Sequence, residues 1–239
     1  MGEIRLRVPP QLQLFLKPDT RAHEVRVASD TTSTVGHVIE SVGVPLTEVE
    51  TIKVGGARAS PSTYAHGGML VELRPVMRPQ AIPEHTQGFL LDVHLGTLAR
   101  RMRLLGIDSA YRNDAADDEL VDEANAERRI LLTRDRRLLM RRVLWCGAHV
   151  RGDRPDAQLA DVIDRFAPPL APWTRCTACN GALAPVRKDE VAHLLEPGTR
   201  HSYTNFAQCR ACGKVYWRGA HSPTLESIVA RAALDGPTG

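Results

Sequence analysis

Two cysteine pairs, Cys176-x-x-Cys179 and Cys209-x-x-Cys212, have the strongest chemical signature in the chain. A C-x-x-C turn aims two sulfurs at one ion, and four thiolates suit tetrahedral Zn²⁺. Such a closed site leaves no position open for a substrate, so its expected role is structural. The 29 residues between the pairs, 180–208, exceed the roughly 15–20 usual in a ribbon, which predicts an inserted loop or hairpin. A redox dithiol is the competing reading, but two pairs, the second followed by Gly213, favour metal. His193, His201 and His221 are also ligand types, although four thiolates already fill the shell. Cys146 lies in an apolar run and reads as a small buried hydrophobe. Tyr216 and Trp217, beside Lys214 and Arg218, can stack on nucleobases, and Trp217 equally suits packing within the ribbon.

A second set of residues is acidic. Asp92 follows the apolar run Phe89-Leu90-Leu91, Asp135 follows Ile130–Thr133, and Asp117 and Asp118 open a stretch between them. If the two apolar runs are parallel strands, their carboxyl ends share an edge, where sites form. Converging carboxylates repel unless a cation neutralises them. Mg²⁺ or Mn²⁺ takes oxygen ligands and keeps water, and such an ion can activate that water against a phosphodiester. Arg100, Arg101 and Arg103, then Arg134, Arg136, Arg137, Arg141 and Arg142, lie near these acids in sequence and can hold phosphates. The plainer reading has Asp117 as a helix cap, the others as turn formers, and the arginines as a solvated face.

The elements that must position these groups follow from periodicity. From residue 88 strands alternate with helices, which predicts a parallel sheet covered on both faces. Leu95, Leu98, Ala99, Met102 and Leu105 share a face over residues 94–105, and Gly106 ends that helix. A helix is expected from Asp117 to Glu127, a strand over 143–150, and a last helix carrying Leu159, Val162, Ile163 and Phe166. Before residue 78 the pattern is different. Ile4, Leu6 and Val8 alternate with polar residues, as do Val25 and Val27, and later Met69, Val71 and Leu73. Val35, Val38, Ile39 and Val42 share a short helical face, and Gly55-Gly56 makes a turn after Val54. Strands, a helix, then more strands resemble a ubiquitin-like β-grasp in order and spacing. This module runs on through Arg74-Pro75 without a terminal Gly-Gly, so docking or structure is expected of it rather than thioester or sulfur carriage. Residues 76–87 read as a linker and 167–172 as a break. The expected division is 1–78, 88–167 and 173–221, with each part folding on its own core.

The run Phe89-Leu90-Leu91-Asp92-Val93-His94-Leu95-Gly96 through Gly106-Ile107-Asp108 resembles the opening of the Mut-seven C-terminal ribonuclease family, which is similar to the PIN-type nucleases. Asp114-Ala115-Ala116-Asp117-Asp118-Glu119-Leu120 and Ile130-Leu131-Leu132-Thr133-Arg134-Asp135-Arg136 match its second and third signatures. Its closing string is matched by Gly213-Lys214-Val215-Tyr216-Trp217-Arg218-Gly219, after the paired cysteines. Some members also carry an N-terminal ubiquitin-like module. The resemblance spans roughly residues 88–221. It implies an α/β PIN-like domain, a C-terminal ribbon, and Asp92, Asp117 and Asp135 as Mg²⁺ or Mn²⁺ ligands. Asp118 rivals Asp117, and Asp153 stands where PIN-type enzymes place a further acid.

The expected function is therefore metal-dependent hydrolysis of RNA, with Arg100, Arg103 and Arg134 on its phosphates. A non-catalytic RNA- or ribosome-binding adaptor is the alternative. A protein partner is expected to use the ubiquitin-like module. A net charge of +3 over 239 residues permits RNA without arguing for it. No apolar run approaches a membrane span, no signal-peptide core opens the chain, and odd-numbered, paired cysteines suit a reducing compartment, so a cytoplasmic protein is expected.

Overall fold

The alternating apolar residues of the first module become a five-stranded sheet in the computed structural model, which describes residues 2–18, 23–28, 32–217, 227 and 230. Its strands are β1 (Glu3–Arg7), β2 (Glu24–Ala28), β3 (Val49–Val54), β4 (Ala57–Ala59) and β5 (Leu70–Pro75), with helix α1 (Val35–Ser41) between β2 and β3. The order is β2-β1-β5-β3-β4, with β1 and β5 parallel at the centre, as in a ubiquitin-like β-grasp. Period two sends Ile4, Leu6, Val71 and Leu73 to one face, where Val35, Val38 and Ile39 of α1 meet them. Thr34 caps α1, its hydroxyl accepting from the His37 N–H at 3.2 Å. The short strand β4 was not expected; Gly55 and Gly56, both at positive φ, turn β3 back into it.

The second sheet comprises β6 (Phe89–Leu91), β7 (Ser109–Tyr111), β8 (Ile130–Thr133) and β9 (Gly147–His149), all parallel in the order β7-β6-β8-β9. β6 and β8 are central and wholly apolar apart from Thr133, because helices cover both faces. On one face lie α2 (Gly96–Leu104) and α5 (Pro155–Phe166); on the other lie α3 (Asp117–Ala126) and α4 (Arg136–Leu139). The strand expected over 143–150 is confined to Gly147–His149. Gly106 follows α2 at φ +79°, where a Cβ would fall 2.0 Å from the Ala171 carbonyl oxygen, so the segment leaving this sheet crosses tightly over the helix end.

That segment leads into the ribbon: β10 (Leu183–Val186), α6 (Lys188–Val191), α7 (Pro197–Ser202), β11 (Phe206–Cys209) and β12 (Val215–Trp217), with sheet order β10-β11-β12. The insertion between the cysteine pairs is the expected hairpin, β10 antiparallel to β11, and its connection carries two short helices. Its small core of Val191, Leu195 and Phe206 explains the helices, since a bare loop of that length would bury nothing.

Residues 76–87 form no regular element, yet they do not behave as a free linker. Arg78 pairs with Asp161 and Asp164 of α5 at 2.7 Å each, and Gln80 accepts from Arg165 Nε at 2.8 Å. Arg165 then places Nη1 2.8 and 2.9 Å from the two carboxylate oxygens of Glu48, in the turn before β3. The side chains are 1% and 0% exposed, so a desolvated ion pair joins the first sheet to the second. Phe15 packs edge-on against His149 with centroids 5.0 Å apart, and its carbonyl accepts from Arg136. Residues 1–78 have a hydrophobic cluster of their own, and their seam with α5 and β9 is buried, charged and specific.

Candidate active site and metal centre

The carboxyl edge of the second sheet gathers part of the expected acidic set. Asp92 leaves β6 buried, 5% exposed, because the strand before it is sealed on both faces. The Thr133 hydroxyl, at the end of neighbouring β8, donates to Asp92 Oδ2 at 2.5 Å. The same oxygen of Thr133 accepts from the Asp135 N–H at 2.9 Å. Thr133 thus couples two of the acids, a role its plain appearance inside an apolar run concealed. The signal available was positional: it is the one hydroxyl at the carboxyl end of a fully apolar central strand.

The remaining acids are more dispersed. Asp135 is exposed and caps α4, its Oδ1 accepting from the Arg137 N–H at 2.7 Å. Asp117 is exposed in the first turn of α3, but it is not the cap: Ala116 holds that position, and Glu119 accepts from its N–H at 3.2 Å. Asp118 is exposed and pairs with Arg141. Asp153 is 92% exposed and pairs with Arg134 at 2.7 Å. Among the described residues, the four cysteines are the only group of three or more His, Cys, Asp or Glu with all ligand atoms within 4.8 Å of one another. Asp92, Asp117 and Asp135 therefore share an edge without forming a three-carboxylate cage.

The expected phosphate-binding arginines separate into three cases. Arg100 is exposed beside His94, Thr97 and Arg112 in a polar cleft of about 700 Å³, next to the Asp92 edge. Arg134 is partly occupied by Asp153. Arg103 is a correction. It is 3% exposed, with Nε donating to the Ser109 carbonyl at 2.8 Å and Nη1 to the Thr177 and Ala178 carbonyls at 3.2 and 2.9 Å. Burial lowers its pKa, only partly offset by the Cys179 and Cys176 sulfurs, and a guanidinium's intrinsic basicity keeps it a cation. Phosphate cannot reach it. The α2 face holding Met102 and Leu105 turns Arg103 toward the ribbon instead of toward solvent.

Arg103 thus clasps the first cysteine knuckle from beneath. Asn180 and Arg175 complete the seam through Asp108, at 2.9 and 2.7 Å, and Arg129 meets the same carboxylate at 2.6 Å. Above that seam Cys176 Sγ and Cys212 Sγ are 3.7 Å apart, and Cys179 Sγ and Cys209 Sγ 3.5 Å. Sulfurs around a tetrahedral ion with metal–sulfur bonds of about 2.3 Å stand about 3.8 Å apart, so the spacing is that of a metal centre. Cys176 and Cys209 are buried and their partners exposed. By themselves the sulfurs do not ionise alike. For Cys176, burial opposes ionisation, but the Tyr216 hydroxyl and the backbone N–H groups of Cys179 and Ala178 bring it down to about 6. Burial, with the neighbouring sulfurs, pushes Cys179 up to about 12. A cation among them reverses the second effect and makes all four thiolates. Burial also raises the Cys146 thiol, a poor state for a nucleophile.

His193 and His201 lie outside this group of four, and His221 and Arg218 lie outside the described residues. No helix among the described residues is long and apolar enough to cross a membrane.

Residues 87–229, more than half of the chain, match the family model described as the Mut7-C RNAse domain. The chain belongs to the Mut7-C RNAse family. Residues 1–81 match the Mut7-C ubiquitin model, so the β-grasp is the module that accompanies this nuclease-type domain. No curated protein and no solved structure matches the chain. In this Mut7-C chain the family's acids, its ribbon and its ubiquitin-like module sit on one connected frame, joined by Thr133, Arg103 and the Glu48–Arg165 pair.

Proposed function

We propose that this Mut7-C chain is a metal-dependent ribonuclease whose reaction centre is the Asp92 edge of the parallel sheet. The observation that carries the reading is the placement of Asp92: a buried carboxylate at the end of a central strand, oriented by Thr133, with Asp135 one hydrogen bond further on. Asp92 is the proposed anchor for Mg²⁺ or Mn²⁺. Asp117 and Asp135 complete the ion's surroundings, and Asp118 and Asp153 are secondary because both already pair with arginines. The bound ion supplies a hydroxide-like water and charge stabilisation at the phosphate. Thr133 holds Asp92 in one rotamer, and Arg100 and Arg134 attract the RNA backbone.

The four cysteines take Zn²⁺ in a structural role, the chemistry a closed tetrathiolate suits best. The working division remains 1–78, 88–167 and 173–221, and a cytoplasmic setting suits a reduced cysteine cluster. A second reading, a non-catalytic RNA or ribosome adaptor, draws on the absence of a three-acid cage among the described residues. The deciding experiment is Mn²⁺-dependent cleavage of mixed RNAs by the zinc-loaded chain and by Asp92→Asn. Cleavage abolished in the variant supports the nuclease; RNA binding with no cleavage by either protein supports the adaptor.

A further inference from the structure

The ribbon carries a cleft that none of this chemistry uses. It has a volume of about 640 Å³ and is lined by Trp173, Tyr203, Phe206, Tyr216 and Trp217. They are five of the chain's eleven aromatic side chains, three of them on the β10-β11-β12 sheet. Phe206 is buried and belongs to the ribbon core, while Trp217 is 39% exposed, its ring tilted against Phe206 at 6.4 Å. Thr204 and Asn205 bring exposed polar side chains to the same cleft. Lys214 places its ammonium 5.9 Å from the Tyr216 ring.

We propose that this cleft binds an unpaired base of single-stranded RNA, as a subsite of the ribonuclease reading on which the proposal rests. Bases stack on aromatic faces with little regard to sequence, and duplex bases are not available to do so. A cation beside the stacking ring suits the phosphate attached to the base. The amide of Asn205 can both donate to and accept from a base edge. The first cysteine knuckle touches both this cleft and the polar cleft of Arg100. The Tyr216 hydroxyl meets Cys176 Sγ at 2.9 Å and Thr177 Oγ1 at 3.3 Å, so one wall of the cleft is pinned to the knuckle. On the other side of that knuckle, Ala178 lines the polar cleft of His94, Arg100 and Arg112. A strand crossing the knuckle would therefore pass from aromatic stacking to the polar cleft of Arg100 and Arg112. Metal at the four cysteines would then serve binding by holding the Tyr216 wall in place.

The test uses the full zinc-loaded chain without added Mg²⁺ or Mn²⁺, with fluorescein-labelled octauridylate and an RNA duplex of equal length as probes. The single strand is expected to bind at least roughly tenfold more tightly than the duplex. Trp217→Ala should weaken octamer binding roughly tenfold, the loss of one stacked base, while Trp217→Phe keeps most of it. The salt dependence of binding should be unchanged, since no phosphate contact is removed. Equal binding by Trp217→Ala with its zinc intact, or equal binding of duplex, overturns the proposal. Because Trp217 also packs on Phe206, a 5-iodouridine octamer is crosslinked to the wild-type chain as a direct measurement. Crosslinks at Trp217, Tyr203 or Tyr216 are expected, and crosslinks only elsewhere overturn it. A wild-type dimer that Trp217→Ala dissociates would show the cleft occupied by a second copy, and also overturns it. Failure of the nuclease reading is separate: it appears as absent cleavage while stacking and crosslinks persist.

Discussion

Arg165 and Glu48, 117 positions apart, form a doubly hydrogen-bonded ion pair sealed between the ubiquitin-like sheet and the parallel sheet. The His149 N–H donates to the same Glu48 carboxylate at 2.8 Å, so the pair also fixes the end of β9, the strand beside Thr133. Truncating one member of a buried pair leaves the other charged without a partner, at a cost of about 3–5 kcal/mol. Glu48→Ala should lose that much stability in urea denaturation. Glu48→Gln with Arg165→Met should recover most of it. Removing residues 1–78 should lower the melting temperature of the remainder, and a fully independent nuclease core would show no change.

The His149 ring gives the same seam a pH dependence. Burial lowers its pKa, outweighing the upward pull of Glu48 and Asp161, with Arg134 and Arg151 adding to the lowering. The unfolded chain then takes up a proton near its ordinary value of about 6.5 while the folded chain does not. Stability is full above that pH and falls as pH drops below it, until the folded ring also protonates. Melting curves from pH 7.5 to 5.5 should show this loss, and His149→Phe should flatten it.

Asp92→Asn removes a charge with little change of shape, and it can keep the Thr133 hydrogen bond. If Asp92 anchors the ion, cleavage should fall by about 10²–10³, or about 3–4 kcal/mol, with the melting temperature unchanged or slightly higher. Thr133→Val should also reduce cleavage, through loss of Asp92 positioning, and Thr133→Ser should restore it. An early-melting Asp92→Asn that cleaves normally per folded molecule would remove Asp92 from the reaction centre.

Arg103→Met keeps much of the side-chain volume but frees the carbonyls of Ser109, Thr177 and Ala178. Hydrogen bonds from a charged donor contribute about 1.5–3 kcal/mol each, so the ribbon should undock. Limited proteolysis should then cut near residues 167–175, and zinc should be lost to a chelator sooner than from wild type. Any loss of RNA affinity should follow the undocked fraction, because Arg103 is buried away from phosphate.

Atomic zinc analysis of the purified chain should give one ion per molecule, removed together with Cys176→Ser or Cys209→Ser. A ribbon core of three buried hydrophobics is too small to hold the fold unaided. Retention of ribbon structure after chelation, read by circular dichroism or proteolysis, would contradict this.

Local pattern was enough for much of the architecture. The alternation of Ile4, Leu6 and Val8, the helical face of Leu95, Leu98 and Met102, and the C-x-x-C spacing each encode an element within a few residues of chain, because periodicity of 2 or 3.6 is a local property. The four-cysteine cluster was legible for the same reason. Its ligand set needs only two short turns to meet, and no other pair of turns in the chain offers thiolates. Asp92 at the end of a buried strand was also visible, since the apolar run before it announces the strand.

Other features depended on which elements pack together, and neither residue type nor spacing reports that. Arg103 has the appearance of a solvent-facing helix arginine, and it is buried only because the ribbon lands on it. Glu48 and Arg165 look like ordinary surface charges until two sheets close over them. Thr133 reads as one more strand residue until β8 is placed beside β6. Asp118 looks free on its helix until Arg141, from a later segment, pairs with it. The sequence alone determined most of the elements, the four-cysteine cluster and the family. The tertiary structure decided which charges are desolvated and which stay exposed, because burial comes from elements distant in the chain.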